Sequence, residues 1–177
     1  MSTPRILALD LSLTRSGFCV GAGLAECESG VITAQNMRGM ERIDHIVRRV
    51  QELASGCDVV VIEGYSYGSQ GRSVFDIGEL GGCVRFLLHR LGIPVVDVPP
   101  ATLKKYATGS GAARKVDMVV AARERFGLQG TTDDNECDAY LLWAMAHHSY
   151  GHPVARVPKV NHEATFKISW PEFGVMA

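Results

Sequence analysis

Four acids stand where a buried element ends or a helix begins: Asp10 in RILALDLS, Glu63 closing CDVVVIE, and Asp134 and Asp138 in DDNECDAY. A carboxylate straight after an apolar run such as VVVI is costly to desolvate unless a cation or hydrogen-bond donor meets it. Asp134 and Asp138 lie one helical turn apart, so both can point the same way and share a cation with the strand ends. Converging carboxylates supply the hard oxygen ligands that Mg2+ or Mn2+ takes. Two such ions about 3.5 to 4 Å apart, one activating water and one stabilising the leaving oxygen, hydrolyse phosphodiesters. A side chain bridging both has to sit centrally, and Asp10 is the candidate. Each acid also has a plainer reading: an aspartate at a strand end is often a turn or cap residue, and Asp133 and Asp134 suit a helix N-terminus. Asp138, set among Cys137, Ala139, Leu141 and Leu142, has less claim to solvent.

Formal net charge is −1, so a nucleic-acid footprint has to come from local segregation of charge. Residues 101–125 supply it, with Lys104, Lys105, Arg114, Lys115, Arg123 and Arg125 against Asp117 and Glu124. Around Gly109-Ser110-Gly111, backbone amides and cations together can grip phosphate, the alternative being a solvated charge run. The glycine-rich stretch after Glu63 carries Tyr65 and Tyr67, able to stack on unpaired bases, and Arg72, able to reach phosphate. A core or surface role is the alternative for either tyrosine. His147 and His148 close the last helix, where positive charge suits the helix dipole, and His45 and His89 lie within helical patterns; all four read as structural. The five cysteines form no CxxC pair and read as reduced core thiols.

These residues need a scaffold that brings strand mouths and a helix together. Strand patterns at Arg5 to Ser12, Gly17 to Gly23 and Glu28 to Thr33 suggest an antiparallel meander. A helix follows from Met37 to Leu53, then a buried strand from Cys57 to Gly64, and a helix from Ser73 to Gly92 with Ser73 and Asp76 as a capping pair. A third buried strand spans Pro94 to Val98. A short helical turn, a helix from about Ala113 to Phe126 and a last helix from about Asn135 to His148 complete the order βββαβαβαα. This predicts one α/β domain with a mixed sheet covered by helices, residues 1–152, and a tail, residues 153–177, without assigned function. No apolar run reaches the roughly 18 to 20 residues of a membrane span and no signal-peptide pattern opens the chain, so a cytoplasmic protein is expected.

The runs LALDLSLTRSGFCV, VVVIEGYSYG, VDVPPATLKKYATGSGAARKVDM and DDNECDAYLLWAMA, in this order over most of residues 5–148, resemble the successive motifs of RuvC-type Holliday junction resolvases. The first motif alone is also similar to phosphate loops of actin-like sugar kinases, which need a second, duplicated domain that this chain is too short to hold. The resemblance implies a ribonuclease H-like sheet and an endonuclease that cuts four-way junctions and related forks with two Mg2+ ions, Mn2+ also serving. It implies Asp10 and Glu63 as metal ligands, Asp138 as the final catalytic acid and Lys115 near the scissile phosphate. Lys104, Lys105 and Arg114 would hold the DNA backbone, and Tyr65 or Tyr67 would enter the junction. Many bacterial members carry an acid or histidine three residues before the last aspartate, where this chain has Asn135. Asp134, four before, is the expected fourth ligand with Asn135 as its substitute, and the DDNE-x-DA form is similar to phage-type members, which act in a host cytoplasm. A symmetric junction implies a homodimer, through the helix 44–53 or the helix 73–91. A broader fork, flap or RNA-DNA nuclease with the same site, and a catalytically silent branched-DNA-binding module, are the alternatives.

Overall fold

The computed structural model describes residues 3–64 and 72–172, apart from the side chains of Arg72 and Ser73. The strands are β1 (Ile6–Asp10), β2 (Arg15–Gly21), β3 (Glu28–Thr33), β4 (Val59–Glu63) and β5 (Val95–Val98). They form one sheet in the order β3-β2-β1-β4-β5. β2 runs antiparallel to β1 and β3, whereas β4 runs parallel to β1 and β5. The mixed sheet expected from the sequence is therefore present.

β1 is central and covered on both faces, which is why ILAL reads as an unbroken apolar run. Ile6 and Ala8 join one core with the helix α5 (Asp134–Ser149). Leu7 and Leu9 join another with α1 (Gly39–Leu53) and α2 (Arg72–Arg90). Parallel pairing of Leu9 with Ile62 brings the two strands to an end together, so that Asp10 and Glu63 emerge side by side. α5 buries residues all round its circumference, among them Cys137, Leu141, Leu142 and Trp143, so it sits inside the domain rather than on it.

The turn expected after Pro99-Pro100 is instead a nine-residue helix, α3 (Pro100–Thr108). Proline at its start and Gly109 at φ 92° after its end mark its limits, because proline suits the first helical turn and glycine the left-handed residue that stops it. α4 (Lys115–Val120) continues through a π-helical turn, Ala121–Arg125. Beyond α5 the chain packs back on the domain through α6 (Lys159–His162). Asn161 is buried there and donates from Nδ2 to the Tyr106 carbonyl at 3.0 Å, and Val157, Ile168 and Trp170 lie against the α5-side core.

Candidate active site

Asp10 at the end of β1, Glu63 at the end of β4 and Asp138 one turn into α5 each offer a carboxylate oxygen, and these atoms all lie within 4.8 Å of one another. The three side chains are half-buried. Burial raises the Asp138 pKa to about 6, with the Asp134 charge adding to it. Burial, then the Asp138 charge, raises Glu63 to about 7. Asp10 is pushed well above the ordinary aspartate value, first by burial and then by Glu63 and Asp138. Like charges this close cannot all ionise without a countercharge. Asp138 Oδ1 is also buried with no hydrogen-bond partner among the described residues. Hard oxygen donors, mutual repulsion and an unsatisfied buried oxygen fit a divalent cation bound by these three residues.

The acids open into a cleft of about 360 Å³ whose polar lining includes Lys104, Lys115 and Asn135, with Ile62, Ile77 and Met118 among its apolar lining. Arg85 of α2, which the sequence did not single out, also lines the cleft and pairs with Asp97 of β5. No local spacing announces that pair, because the partners belong to different elements.

Asp134 lies outside the trio. Its carboxylate is held by the Lys115 ammonium, a hydrogen bond that lowers the aspartate pKa and raises that of the lysine. Asn135, the other candidate for a fourth ligand, lines the cleft. Arg114 is exposed and engaged with Asp117 at 3.1 Å, closing the first turn of α4. Lys105 stands beside Lys104 on α3 but does not line the cleft. Tyr65 and Tyr67 lie outside the described residues, as does the side chain of Arg72.

The far end of α5 corrects one expectation. His147 is buried, its Nε2 donates to the Gly21 carbonyl at 3.2 Å, and burial lowers its pKa to about 4. His148, stacked on His162 with ring centroids 3.8 Å apart, is also lowered, by burial and then by the His162 charge. Burial holds His147 neutral, so it brings no positive charge to the helix terminus.

The family model described as crossover junction endodeoxyribonuclease RuvC matches residues 6–147. A protein of that name from Anaeromyxobacter dehalogenans strain 2CP-1 is 28% identical over 162 residues, covering 85% of each chain. Another, from Syntrophomonas wolfei, is 25% identical over 158 residues, covering 82% of this chain and 90% of the relative. Among solved structures, T. thermophilus RuvC in complex with Holliday junction substrate superposes with a TM-score of 0.67 at 22% identity, covering 78% of this chain and 90% of that one. The yeast mitochondrial Holliday junction resolvase Ydc2 gives a TM-score of 0.55 at 12% identity, over 93% of this chain and 81% of that one. The fold is therefore the ribonuclease H-like one that the sequence motifs imply.

Proposed function

The chain belongs to the crossover junction endodeoxyribonuclease RuvC family, and from that premise we propose that it resolves Holliday junctions and related branched DNA by metal-dependent phosphodiester hydrolysis. The observation that carries the reading is the half-buried trio of Asp10, Glu63 and Asp138, one oxygen of which has no hydrogen-bond partner among the described residues. Buried acids of this kind destabilise the domain unless a cation offsets them, which argues against a silent binding module.

Asp10, Glu63 and Asp138 would hold the cation, with Asp134 or Asn135 completing the set. Two Mg2+ ions there, or Mn2+ in their place, would supply Lewis acidity and an activated water. The remaining chemistry belongs to the chain. Lys115, at the rim of the cleft, is placed to leave Asp134 for the scissile phosphate and support its developing charge. Lys104 orients the phosphate from the cleft wall, while Lys105, Arg114 and Arg72 hold the flanking backbone. Tyr65 or Tyr67 stacks at the branch point. Residues 1–152 form the nuclease, and the segment from 153 braces α3 from behind.

Two copies would pair through α2. Its surface carries Phe75 at 75% and Phe86 at 66% exposure, with exposed Gly78 and Gly82 between them, a face on which two helices can approach closely. The outer face of α1 is charged instead, with Asp44, Arg48, Arg49 and Glu52 in ion pairs. No helix among the described residues is long and apolar enough to cross a membrane, and a cytoplasmic site of action is part of the proposal.

The test is cleavage of a synthetic four-way junction, a fork and a linear duplex in Mg2+, Mn2+ and EDTA. Metal-dependent cleavage of the branched DNAs is expected, lost in Asp10→Asn and Glu63→Gln while junction binding persists. Equal cleavage of the linear duplex would move the reading to a general nuclease. No cleavage with either metal, or full activity in Asp10→Asn, would overturn it.

A further inference from the structure

The segment DDNECD places Asp133, Asp134, Glu136 and Asp138 within six residues at the start of α5, yet Asp138 alone among them joins the trio. The structure shows what sorts them. Asp133 caps α5, its carboxylate accepting from the Asn135 and Glu136 amides at 3.1 and 3.2 Å, and it also receives the guanidinium of Arg15 at the start of β2. Glu136 is drawn toward β3, where the Ser29 hydroxyl donates to its Oε1 at 2.7 Å. Between these two ties lies Gly17 of β2. A Cβ there would stand 1.9 Å from the Asn135 carbonyl oxygen and 2.3 Å from its carbon, so the first turn of α5 rests directly on bare backbone. Gly17 is in turn the cross-strand partner of Asp10. The helix is thus seated beside the strand end whose carboxylate Asp138 has to meet.

We infer that Arg15, Gly17 and Ser29 are positioning residues for the cleavage reaction: they fix the pose of the first turn of α5, hold Asp133 and Glu136 out of the cleft, and so set the reach of Asp138 to Asp10 and Glu63. The inference rests on the resolvase reading for its reaction, but its geometry can be tested without it. A misplacement of about 1 Å in a catalytic group costs on the order of a hundredfold in rate. No side chain fits at position 17 without a shift larger than that, because the obstructing atoms are backbone.

Four variants, Gly17→Ala, Arg15→Met, Arg15→Lys and Ser29→Ala, would be measured for kcat and KM on a four-way junction, for junction Kd in EDTA, and for Mn2+ affinity by calorimetry without DNA. Gly17→Ala is expected to lose kcat by about a hundredfold and Mn2+ affinity by about tenfold, with junction Kd within about twofold of the parent. Arg15→Met and Ser29→Ala are expected to lose about tenfold in kcat and several-fold in Mn2+ affinity, and Arg15→Lys to recover most of the Arg15→Met loss. These two keep the inference open to refutation should Gly17→Ala fail to fold. A loss in Arg15→Met confined to junction Kd and KM would make Arg15 a phosphate contact and overturn the inference for it. Parental kcat and Mn2+ affinity in both Arg15→Met and Ser29→Ala would show that the core alone sets the helix. A parent protein that binds Mn2+ but cuts nothing would defeat the resolvase reading, while the Mn2+ affinities would still judge the pose.

Discussion

At its N-terminal end α5 buries an acid among other acids; at its C-terminal end it buries a histidine beneath an aromatic ring. His147 lies against Trp143 with ring centroids 4.3 Å apart and gives its one proton to the Gly21 carbonyl. It meets the cost of desolvation by staying neutral. Asp138 is crowded by the carboxylates of Asp10 and Glu63 on neighbouring strands; its Oδ1, like His147 Nδ1, is buried without a hydrogen-bond partner among the described residues. The two ends differ in what surrounds the buried group: burial and an aromatic ring keep the histidine neutral, whereas burial and neighbouring carboxylates act together on the aspartate. Burial alone does not mark a site; burial shared with like charge does.

The sharpest test of that contrast is catalytic. Asp138→Asn should lower metal-dependent junction cleavage by on the order of a thousandfold, whereas His147→Gln should leave kcat within about threefold at a temperature where the variant is folded. Comparable losses in the two, from steady-state cleavage assays, would erase the distinction.

Metal-linked stability comes next. At a cation concentration of about one hundred times Kd, binding to the native state adds about 2.7 kcal/mol, which for a chain of this size raises Tm by roughly 5 to 10 °C. Thermal scans in Mn2+ and in EDTA should show that gain in the parent and in His147→Gln, and lose it in Asp138→Asn. Because carboxylates bind a metal only in their ionised form, the gain should grow as pH rises from 5.5 to 8.

The smallest effect is the pH slope without metal, and the two ends should oppose each other. Glu63 and Asp138 hold protons up to about 7 and about 6 in the folded protein, well above where the unfolded chain has released them. Their contribution is fully present at low pH and declines as pH rises through those values. His147, lowered to about 4 from an ordinary 6.5, contributes fully above 6.5 and loses its contribution as pH falls toward 4. In EDTA, Asp138→Asn should flatten the loss of Tm as pH rises from about 4 to about 6, and His147→Gln should flatten the loss as pH falls from 6.5 toward 4.5. Unchanged slopes in both would mean that other groups govern the pH response.

Much of the candidate site was legible in the chain because strands announce themselves by burial. A continuous apolar run that stops on an acid has to surface there, and this located Asp10 and Glu63. Helical spacing put Asp134 and Asp138 on one face, yet it could not show that Lys115 engages the first and leaves the second to the trio. The apolar face of α3 is short, so its pattern alone predicts only a turn, although Pro100 and Gly109 mark both ends. The segment beyond residue 152 showed no period because its contacts, Asn161 on Tyr106 and Trp170 on the Thr165 carbonyl, are made one at a time.

The sequence by itself determined the order of the five strands and the main helices α1, α2 and α5, the mixed sheet, the two strand-end acids and the motif succession that marks the family, since local periodicity and turn chemistry are written along the chain. Only the tertiary structure decided which acids of DDNECD face the cleft, which cations are already engaged, and that Gly17 carries α5. Those outcomes depend on partners such as Arg15 and Asp133, 118 residues apart. Pairing across that distance follows proximity in space, which has no period in sequence.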